Sequence, residues 1–299
     1  MPFHVILPLA AAIVYVAAAL FLKRAAESGA GVWRLTRTCN FVAAIFFAPL
    51  WVLGGNLPSS LWWQPAVAAL LFMSGQIFTM IALRVGDVSI TTPVLGVKVV
   101  LVALLTSVLL RERLTAGVWS AAFLSSVGIG LLHFSRPRAG SRVGTTILIA
   151  GLAAASYALF DVLVQKWSAV WGAGRFLPVM MGFAALYSLP FRPARGDAVA
   201  PGSEKAAAWT IAGAVCLALQ AILFVSSIAI YRQAAVANVL YSSRGLWSIL
   251  AVWAVGHWLG NYEARVGPGH LAWRIAGATT LIIAILCAVW GSSLLVLLH

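Results

Sequence analysis

The chain has 299 residues, of which 62% are hydrophobic and only 9% are charged. Soluble domains contain about 45–50% apolar and about 25% charged residues, so this composition excludes a soluble protein. A net charge of +13 would suggest nucleic acid as the partner of a soluble chain, but here it fits basic loops at the inner membrane surface. We therefore expect an integral protein of the lipid bilayer with no nucleic-acid partner.

Apolar runs separated by glycine, proline and charge clusters predict ten transmembrane helices in an all-α protein. Each run is close to the ~20 residues that cover the hydrocarbon core of a bilayer. No basic segment precedes the first run, so we interpret it as a membrane helix and not as a cleaved signal. The predicted spans are residues 3–22, 35–54, 65–84, 90–110, 116–134, 145–165, 175–191, 207–230, 235–259 and 272–297.

Residues at the predicted span ends indicate an orientation. The odd-numbered loops contain 13 arginines and lysines and the even-numbered loops contain five. The positive-inside rule therefore places the odd loops in the cytoplasm and both termini outside. Several tryptophans fit an aromatic belt at the two membrane interfaces. They are Trp33, Trp51, Trp62, Trp63, Trp167, Trp171 and Trp209.

Two stretches of the first half reappear in the second half. Residues 20–31, LFLKRAAESGAG, align with residues 163–174, LVQKWSAVWGAG, at an offset of 143, and Lys98 aligns with Arg244 at an offset of 146. These matches predict one membrane domain made of two five-helix repeats, residues 1–140 and 141–299. Because five is odd, the second repeat is inverted, as in many secondary transporters. Chance similarity between apolar helices is the alternative.

Lys98 and Arg244 each lie inside an apolar span. A charge at that depth costs at least ~2.5–3.5 kcal/mol on insertion scales, so it indicates a functional site. At ~1.5 Å per residue, both cations lie near the midplane of the ~30 Å hydrocarbon core. Two neighbouring cations repel unless an anion lies between them, which predicts an anionic or zwitterionic small-molecule substrate.

Asp161 is the carboxylate that falls clearly inside a predicted span. It has three interpretations: a partner of Lys98 or Arg244, a ligand for a substrate amine, or a proton carrier. A purely structural salt bridge is the alternative to substrate binding. Gln76 either bonds across helices or lines the cavity. The remaining candidate binding residues, which can orient a polar ligand, are Thr92, Tyr157, Asn238 and Tyr241, with Tyr15 nearby.

No pattern of catalytic or metal-ligating residues is present. The five histidines and three cysteines are scattered without metal-ligand spacing, and the seven carboxylates form no acid/base pair. We therefore expect neither an enzyme nor a bound cofactor or metal.

Residues 85–115, VGDVSITTPVLGVKVVLVALLTSVLLRERLT, resemble the drug/metabolite transporter superfamily and, within it, the EamA-type ten-helix carriers. The following helix, AAFLSSVGIGLL, also resembles these carriers. The turn after the fourth span has Arg111 where the family often has glycine, and the second half, at HWLGNYEARV, departs from the motif. Family members commonly keep both termini in the cytoplasm, in contrast to the charge count of this chain.

This resemblance implies a multi-pass secondary transporter of the cell inner membrane that works by alternating access. Sugar-phosphate translocators of the same superfamily use basic residues of helices 4 and 9 on an anionic group, which is similar to Lys98 and Arg244. One alternative is an exporter of amino acids or of amphipathic or cationic compounds, in which Asp161 dominates. Another is a lipid flippase or a non-transporting membrane partner. A homodimer remains open.

Overall fold

The computed structural model describes residues 3–85, 88–133, 142–191, 204–255 and 268–297, and all regular structure in these ranges is helical. Two short 3₁₀ segments, Ala48–Leu53 and Ser59–Leu61, lie between α2 and α3. The α-helices are α1 (Phe3–Glu27), α2 (Val32–Phe47), α3 (Trp63–Val85), α4 (Val88–Gly96), α5 (Lys98–Leu109), α6 (Ala116–Leu132), α7 (Val143–Trp171), α8 (Ala173–Ser188), α9 (Glu204–Tyr231), α10 (Ala234–Tyr241), α11 (Arg244–Val255) and α12 (Pro268–Leu297).

Seven helical stretches of the described chain are long and apolar enough to cross a membrane. They are Phe3–Glu27, Val32–Leu53, Ser59–Val85, Ile90–Leu109, Val143–Trp171, Glu204–Tyr231 and Ala272–Gly291. Large apolar side chains face outward, among them Phe123 and Trp290, which are 63% and 73% exposed. Lipid is the surrounding that such side chains require. The predicted class, an all-α multi-pass membrane protein, is confirmed.

The span predicted as one helix at residues 90–110 is interrupted. Val97 separates α4 from α5, and its amide N–H donates to the Val94 carbonyl, three residues back, at 3.1 Å. Pro93 lies inside α4, where it lacks the N–H that would donate to the carbonyl four residues back, so it weakens α4 before the interruption. The new helical segment, α5, begins at Lys98.

The span predicted at residues 235–259 is interrupted as well, and its last four residues lie outside the described part of the chain. The Ser242 hydroxyl donates to the Val239 carbonyl at 2.6 Å, a local bond that competes with regular helix geometry. The next segment, α11, begins at Arg244. In both broken spans, therefore, the cation is the first residue of the second segment.

The helices pack in a small set of pairs. The most extensive contacts join α1 to α9, α3 to α7, and α6 to α12. Helix α2 packs against α8 and α9, and α8 also contacts α3. Helices α4 and α5 lie on α7, whereas α10 and α11 lie on α1. The interior of the bundle thus forms where α5, α7, α9, α10 and α1 meet.

Glycine permits the close approach of α6 and α12. A Cβ atom on Gly277 would lie 2.7 Å from the Leu132 amide nitrogen and 2.9 Å from the Gly128 carbonyl oxygen. Both are backbone atoms, which cannot move aside as the end of a flexible side chain can. Small residues at such helix contacts are typical of membrane proteins, where close packing drives association.

Two of the tryptophans assigned to the aromatic belt are instead part of the core. Trp167 is 8% exposed and Trp171 is fully buried. The Trp171 indole N–H donates to the Gln64 side-chain oxygen at 3.0 Å, and its ring meets Trp62 edge to face. The belt assignment is wrong for this pair because the chain between α2 and α3 folds over the end of α7.

The loops that follow α2 and α7 meet backbone to backbone. The Asn56 amide N–H donates to the Trp171 carbonyl at 2.7 Å. A Cβ on Gly55 would collide with that carbonyl, and a Cβ on Gly172 would lie 2.9 Å from the Gly55 Cα. Both glycines also have positive φ angles, +129° and +77°. No side chain fits between these loops at either glycine.

Arg111 occupies a backbone conformation that favours glycine. It follows α5 with φ of +57°, in the left-handed region that non-glycine residues seldom adopt. The resemblance to EamA-type carriers indicates glycine at this position. The backbone of Arg111 is therefore strained where glycine would not be.

We expect Arg111→Gly to melt at a higher temperature than Arg111→Ala. Both variants remove the cation, but only glycine relieves the left-handed strain, which is worth about 1 kcal/mol. Thermal unfolding of the detergent-purified proteins, followed by intrinsic tryptophan fluorescence, measures the difference.

The same pair of substitutions at Arg113, which has no positive φ, provides the control. There alanine should exceed glycine, because glycine only adds freedom to the unfolded chain. Equal melting temperatures of the two Arg111 variants would contradict the prediction that the Arg111 backbone is strained.

Candidate functional site

A buried ion pair lies at the centre of the bundle. The Lys98 Nζ atom, at the start of α5, is 2.7 Å from the Asp161 Oδ2 atom on α7. The Asp161 side chain is 1% exposed, whereas 17% of the Lys98 side chain remains accessible. Of the three interpretations of Asp161, the partner of Lys98 is the one that the structure shows.

A hydrogen bond from α10 holds the carboxylate from another direction. The Asn238 Nδ2 group donates to the same Asp161 Oδ2 atom at 2.7 Å, and it also donates to the Ala234 carbonyl at 2.9 Å. Asn238 is 2% exposed. The Asp161 Oδ1 atom is buried too, but it has no hydrogen-bond partner among the described residues.

Aromatic rings surround the Lys98 ammonium group. Its Nζ atom lies 5.6 Å from the centre of the Tyr157 ring and 5.3 Å from that of Phe224 on α9. Both distances are within the ~6 Å range of cation–π attraction. The electron-rich ring faces therefore supply part of the stabilisation that a buried ammonium loses on leaving water.

Arg244 is held mainly by tyrosines. Its Cζ atom lies 4.8 Å from the centre of the Tyr15 ring on α1 and 4.7 Å from that of Tyr241 on α10. A side-chain hydrogen bond also joins Arg244 to Tyr241. Within the described part of the chain, no carboxylate forms an ion pair with Arg244.

These groups form one continuous cluster. The Tyr241 ring is 5.9 Å from the Tyr15 ring and 4.4 Å from the Phe224 ring, centre to centre. Lys98 and Arg244 are also close enough to repel each other electrostatically. With Asp161 ionised, the cluster has a net charge of +1. We call it the central cluster: Tyr15, Lys98, Tyr157, Asp161, Phe224, Asn238, Tyr241 and Arg244.

Two of the predicted binding residues, Gln76 and Thr92, are not part of the central cluster. The side-chain amides of Gln76 on α3 and Asn40 on α2 bond to each other in both directions, each at 3.2 Å. This is the bond across helices that the sequence left open for Gln76. Thr92 is half-buried on α4, beyond the helix interruption from Lys98. Their contact with substrate stays a prediction.

Phe224 and Asn40 were not predicted as site residues. Phe224 is one apolar residue among many in α9, so no sequence signal distinguishes it. Asn40 is a polar residue inside an apolar helix, the same signal that indicated Gln76, and it was open to the same inference.

A polar chain joins three elements at one end of the bundle. The Gln165 side chain on α7 donates from Nε2 to the Glu112 Oε1 atom in the loop after α5, at 2.8 Å. Its Oε1 atom accepts from the Ala234 amide at the start of α10, also at 2.8 Å. Gln165 thus caps a helix start that has no side-chain cap of its own.

The described residues contain no group of three histidine, cysteine or carboxylate side chains placed to hold a metal ion. The central cluster itself offers one carboxylate, two cations and tyrosine hydroxyls. Cations and aromatic donors of this kind bind anions and polar organic groups in preference to metal cations.

Comparison with known proteins agrees with this picture. Residues 2–134 match the family described as the EamA-like transporter family, part of the drug/metabolite transporter superfamily. The match covers 133 of the 299 residues. The resemblance seen in the sequence is thereby confirmed, and the EamA match supports a multi-pass membrane transporter of small molecules. No curated protein sequence matches the chain.

A solved structure shares the fold of this chain. It is described only as "Crystal structure of protein" and superposes with a TM-score of 0.61 over 92% of this chain and 96% of its own. The sequences are 20% identical, so the similarity concerns the fold alone.

The Glu112–Gln165 contact leads to a pH-dependent prediction. Loss of hydration against α7 raises the pKa of the Glu112 carboxyl, and the hydrogen bond from Gln165 offsets part of that rise. The folded state therefore favours the neutral acid. The stability that Glu112 contributes is complete below its unfolded-state pKa and is lost as pH rises through the folded-state pKa.

Glu112→Gln should therefore gain melting temperature relative to the wild type as pH rises from about 4 to 7, because its amide oxygen still accepts from Gln165 without an ionised carboxylate. Thermal unfolding across this pH range measures the gain. Glu204→Gln, at an exposed carboxylate that begins α9, is the control and should show no such gain. A wild-type advantage that widens with pH would contradict the prediction.

Proposed function

We propose that this EamA-like protein is a secondary transporter that moves a small anionic or zwitterionic metabolite across the cell inner membrane by alternating access. The observation that carries the proposal is the charge imbalance of the central cluster. Lys98 and Arg244 share one carboxylate, Asp161, and that carboxylate contacts Lys98. An anionic group between Lys98 and Arg244 would compensate a positive charge that Asp161 leaves unmatched.

The electrostatic gain from such an anion is substantial. Two opposite unit charges ~4 Å apart attract by about 4 kcal/mol at the effective dielectric constant of ~20 that describes protein sites. The arginine fork also matches carboxylate and phosphate groups, which favours two parallel hydrogen bonds. A cationic substrate would instead meet a net positive site whose carboxylate already binds Lys98, so we rank cation export lower.

A purely structural role explains only half of the site. The Lys98–Asp161 pair is the salt bridge that such a role requires. Arg244, however, is surrounded by Tyr15 and Tyr241, which supply ring faces and a hydroxyl but no opposite charge. Substrate binding accounts for Arg244, and a structural salt bridge does not.

We further propose ten membrane crossings in two inverted five-helix repeats, residues 1–140 and 141–299. In this scheme α1 corresponds to α7, α2 to α8, α3 to α9, α6 to α12, and the α4–α5 pair to the α10–α11 pair. The packing supports it, since the α1–α9 contact corresponds to α7–α3, and α2–α9 to α8–α3. The placement of α4 and α5 on α7 likewise corresponds to that of α10 and α11 on α1.

Two local features support the same correspondence. Gly29 and Gly172, which align at the predicted offset of 143, have similar positive φ angles of +91° and +77° at the ends of α1 and α7. Lys98 and Arg244 each begin the second segment of an interrupted span. Interrupted helices that meet near the midplane are where transporters with inverted repeats bind substrate.

A thermal-shift screen tests the substrate class. The panel contains sugar phosphates, nucleotides, carboxylates, amino acids and organic cations, each added to the purified wild type and to Arg244→Ala. A bound ligand raises the melting temperature according to its occupancy. We expect at least one anion or zwitterion to stabilise the wild type and not the variant. Stabilisation by organic cations alone, equal in both proteins, would contradict the proposal.

Transport itself should depend on both cations. We expect Lys98→Ala and Arg244→Ala to lose uptake of the ligand found in the screen, because each removes a charged hydrogen bond worth about 1.5–3 kcal/mol, or roughly 10- to 100-fold in affinity. Uptake into proteoliposomes of equal protein content measures the loss. Lys166→Ala and Arg113→Ala, at exposed cations, are the matched controls. Full uptake by both cluster variants would refute this site.

A further inference from the structure

The two oxygens of the Asp161 carboxylate have different surroundings. Oδ2 accepts from both Lys98 and Asn238 at 2.7 Å. Oδ1 is equally buried, but no donor among the described residues reaches it. A buried polar atom left without a partner is rare in native proteins, and a bound ion or a role in the chemistry of the site is among its explanations.

The burial of Oδ1 indicates that any group that binds to it is very small. The Asp161 side chain is 1% exposed and its Oδ1 atom is buried, whereas 17% of the Lys98 side chain is accessible. A substrate entering the site therefore meets the Lys98 side chain before it meets the carboxylate. An organic ammonium group cannot reach the buried Oδ1 atom without displacing the residues around it, whereas a proton needs no such space.

We propose that Asp161 takes up one proton at Oδ1 when a substrate anion binds to Lys98, so that transport of the anion is coupled to movement of a proton. The inference rests on the proposed function and names its coupling ion. In this step the substrate anion replaces Oδ2 as the acceptor of the Lys98 Nζ–H bond. A proton from solvent forms an O–H bond at Oδ1, and the hydrogen bond from Asn238 to Oδ2 persists.

The charges balance in this exchange. Before binding, the central cluster has two cations and one carboxylate. After a monoanion and a proton have entered, it has two cations, one bound anion and a neutral acid, so its net charge is again +1. Without the proton, Asp161 would remain a buried carboxylate that has lost its ammonium partner. A low-dielectric site strongly disfavours that state relative to the neutral acid.

The other groups around Asp161 do not offer this exchange. From α5 it faces Lys98, and from α10 it faces Asn238 and Tyr241. Tyr157 on α7, Tyr15 on α1 and Arg244 on α11 are the other charged and titratable members of the central cluster, while α9 contributes the apolar Phe224. Arginine retains its proton in proteins and tyrosine ionises only far above neutral pH. Asp161 is the carboxylate of the central cluster.

Calorimetry of the full-length protein tests the coupling. The probes are benzoate, glycerol 3-phosphate and phenylalanine, each titrated near pH 7 in two buffers with different ionisation enthalpies, so that the difference in heat gives the protons taken up. We expect a bound probe to bring about one proton into the wild type. Its affinity should fall as pH rises, by up to about tenfold per pH unit, because ligand and proton binding are linked reciprocally.

Variants assign the proton to Asp161. In Asp161→Asn, binding should involve no proton uptake and its affinity should not change with pH. Glu112→Gln, which alters a carboxylate outside the central cluster, should retain the uptake. Should Asp161→Asn not fold, a ligand-induced infrared difference spectrum of the wild type carrying ¹³C-labelled aspartate provides the assignment, through the carbonyl band of a protonated aspartic acid.

Each outcome decides the inference. A probe that binds the wild type without proton uptake overturns the coupling and leaves the proposed transporter intact. Uptake that persists in Asp161→Asn, or an infrared spectrum with no protonated aspartic acid, overturns the assignment to Asp161. If none of the probes binds, the anion site itself fails and the coupling fails with it. One proton taken up in the wild type and none in the variant supports the inference.

Discussion

The contact between the Lys98 ammonium and the Asp161 carboxylate is the interaction on which the interior of this protein depends. It joins α5 to α7, and the Asn238 hydrogen bond extends it to α10. Removing one partner of such a buried pair typically costs 3–5 kcal/mol, since the other charge is left uncompensated. Asn238 donates a hydrogen bond to the carboxylate, and the Tyr157 and Phe224 rings lie near the ammonium. These contacts explain how the pair persists among apolar helices.

The sequence predicted those features of the fold that arise from lipid and from the cost of buried charge. Runs of about 20 apolar residues predicted the helices, because the bilayer permits few other structures. Lys98, Arg244 and Asp161 stood out because charges inside apolar spans need compensation, and they do lie in one cluster. Asn238, Tyr157 and Tyr241 followed from their proximity to these charges on the helical repeat.

The features that the sequence did not predict depend on tertiary contacts. Two spans are interrupted, at Val97 and next to Ser242, yet neither valine nor serine is confined to interrupted helices, so the residue alone does not decide. Trp171 has the sequence position of an interfacial residue and is buried only because a distant loop covers it. Gln165 acts through partners 53 and 69 residues away, and no local pattern indicates such a connection.

The contact between the loops at Gly55 and Gly172 restricts how this sequence can diverge. Neither position can acquire a side chain while the opposite loop keeps its path, because the space is occupied by backbone. A lineage that repositions one loop must therefore change the other in compensation, although the two segments are more than a hundred residues apart in the chain. We therefore expect substitutions at residues 54–56 to be correlated with substitutions at residues 171–175 among related sequences.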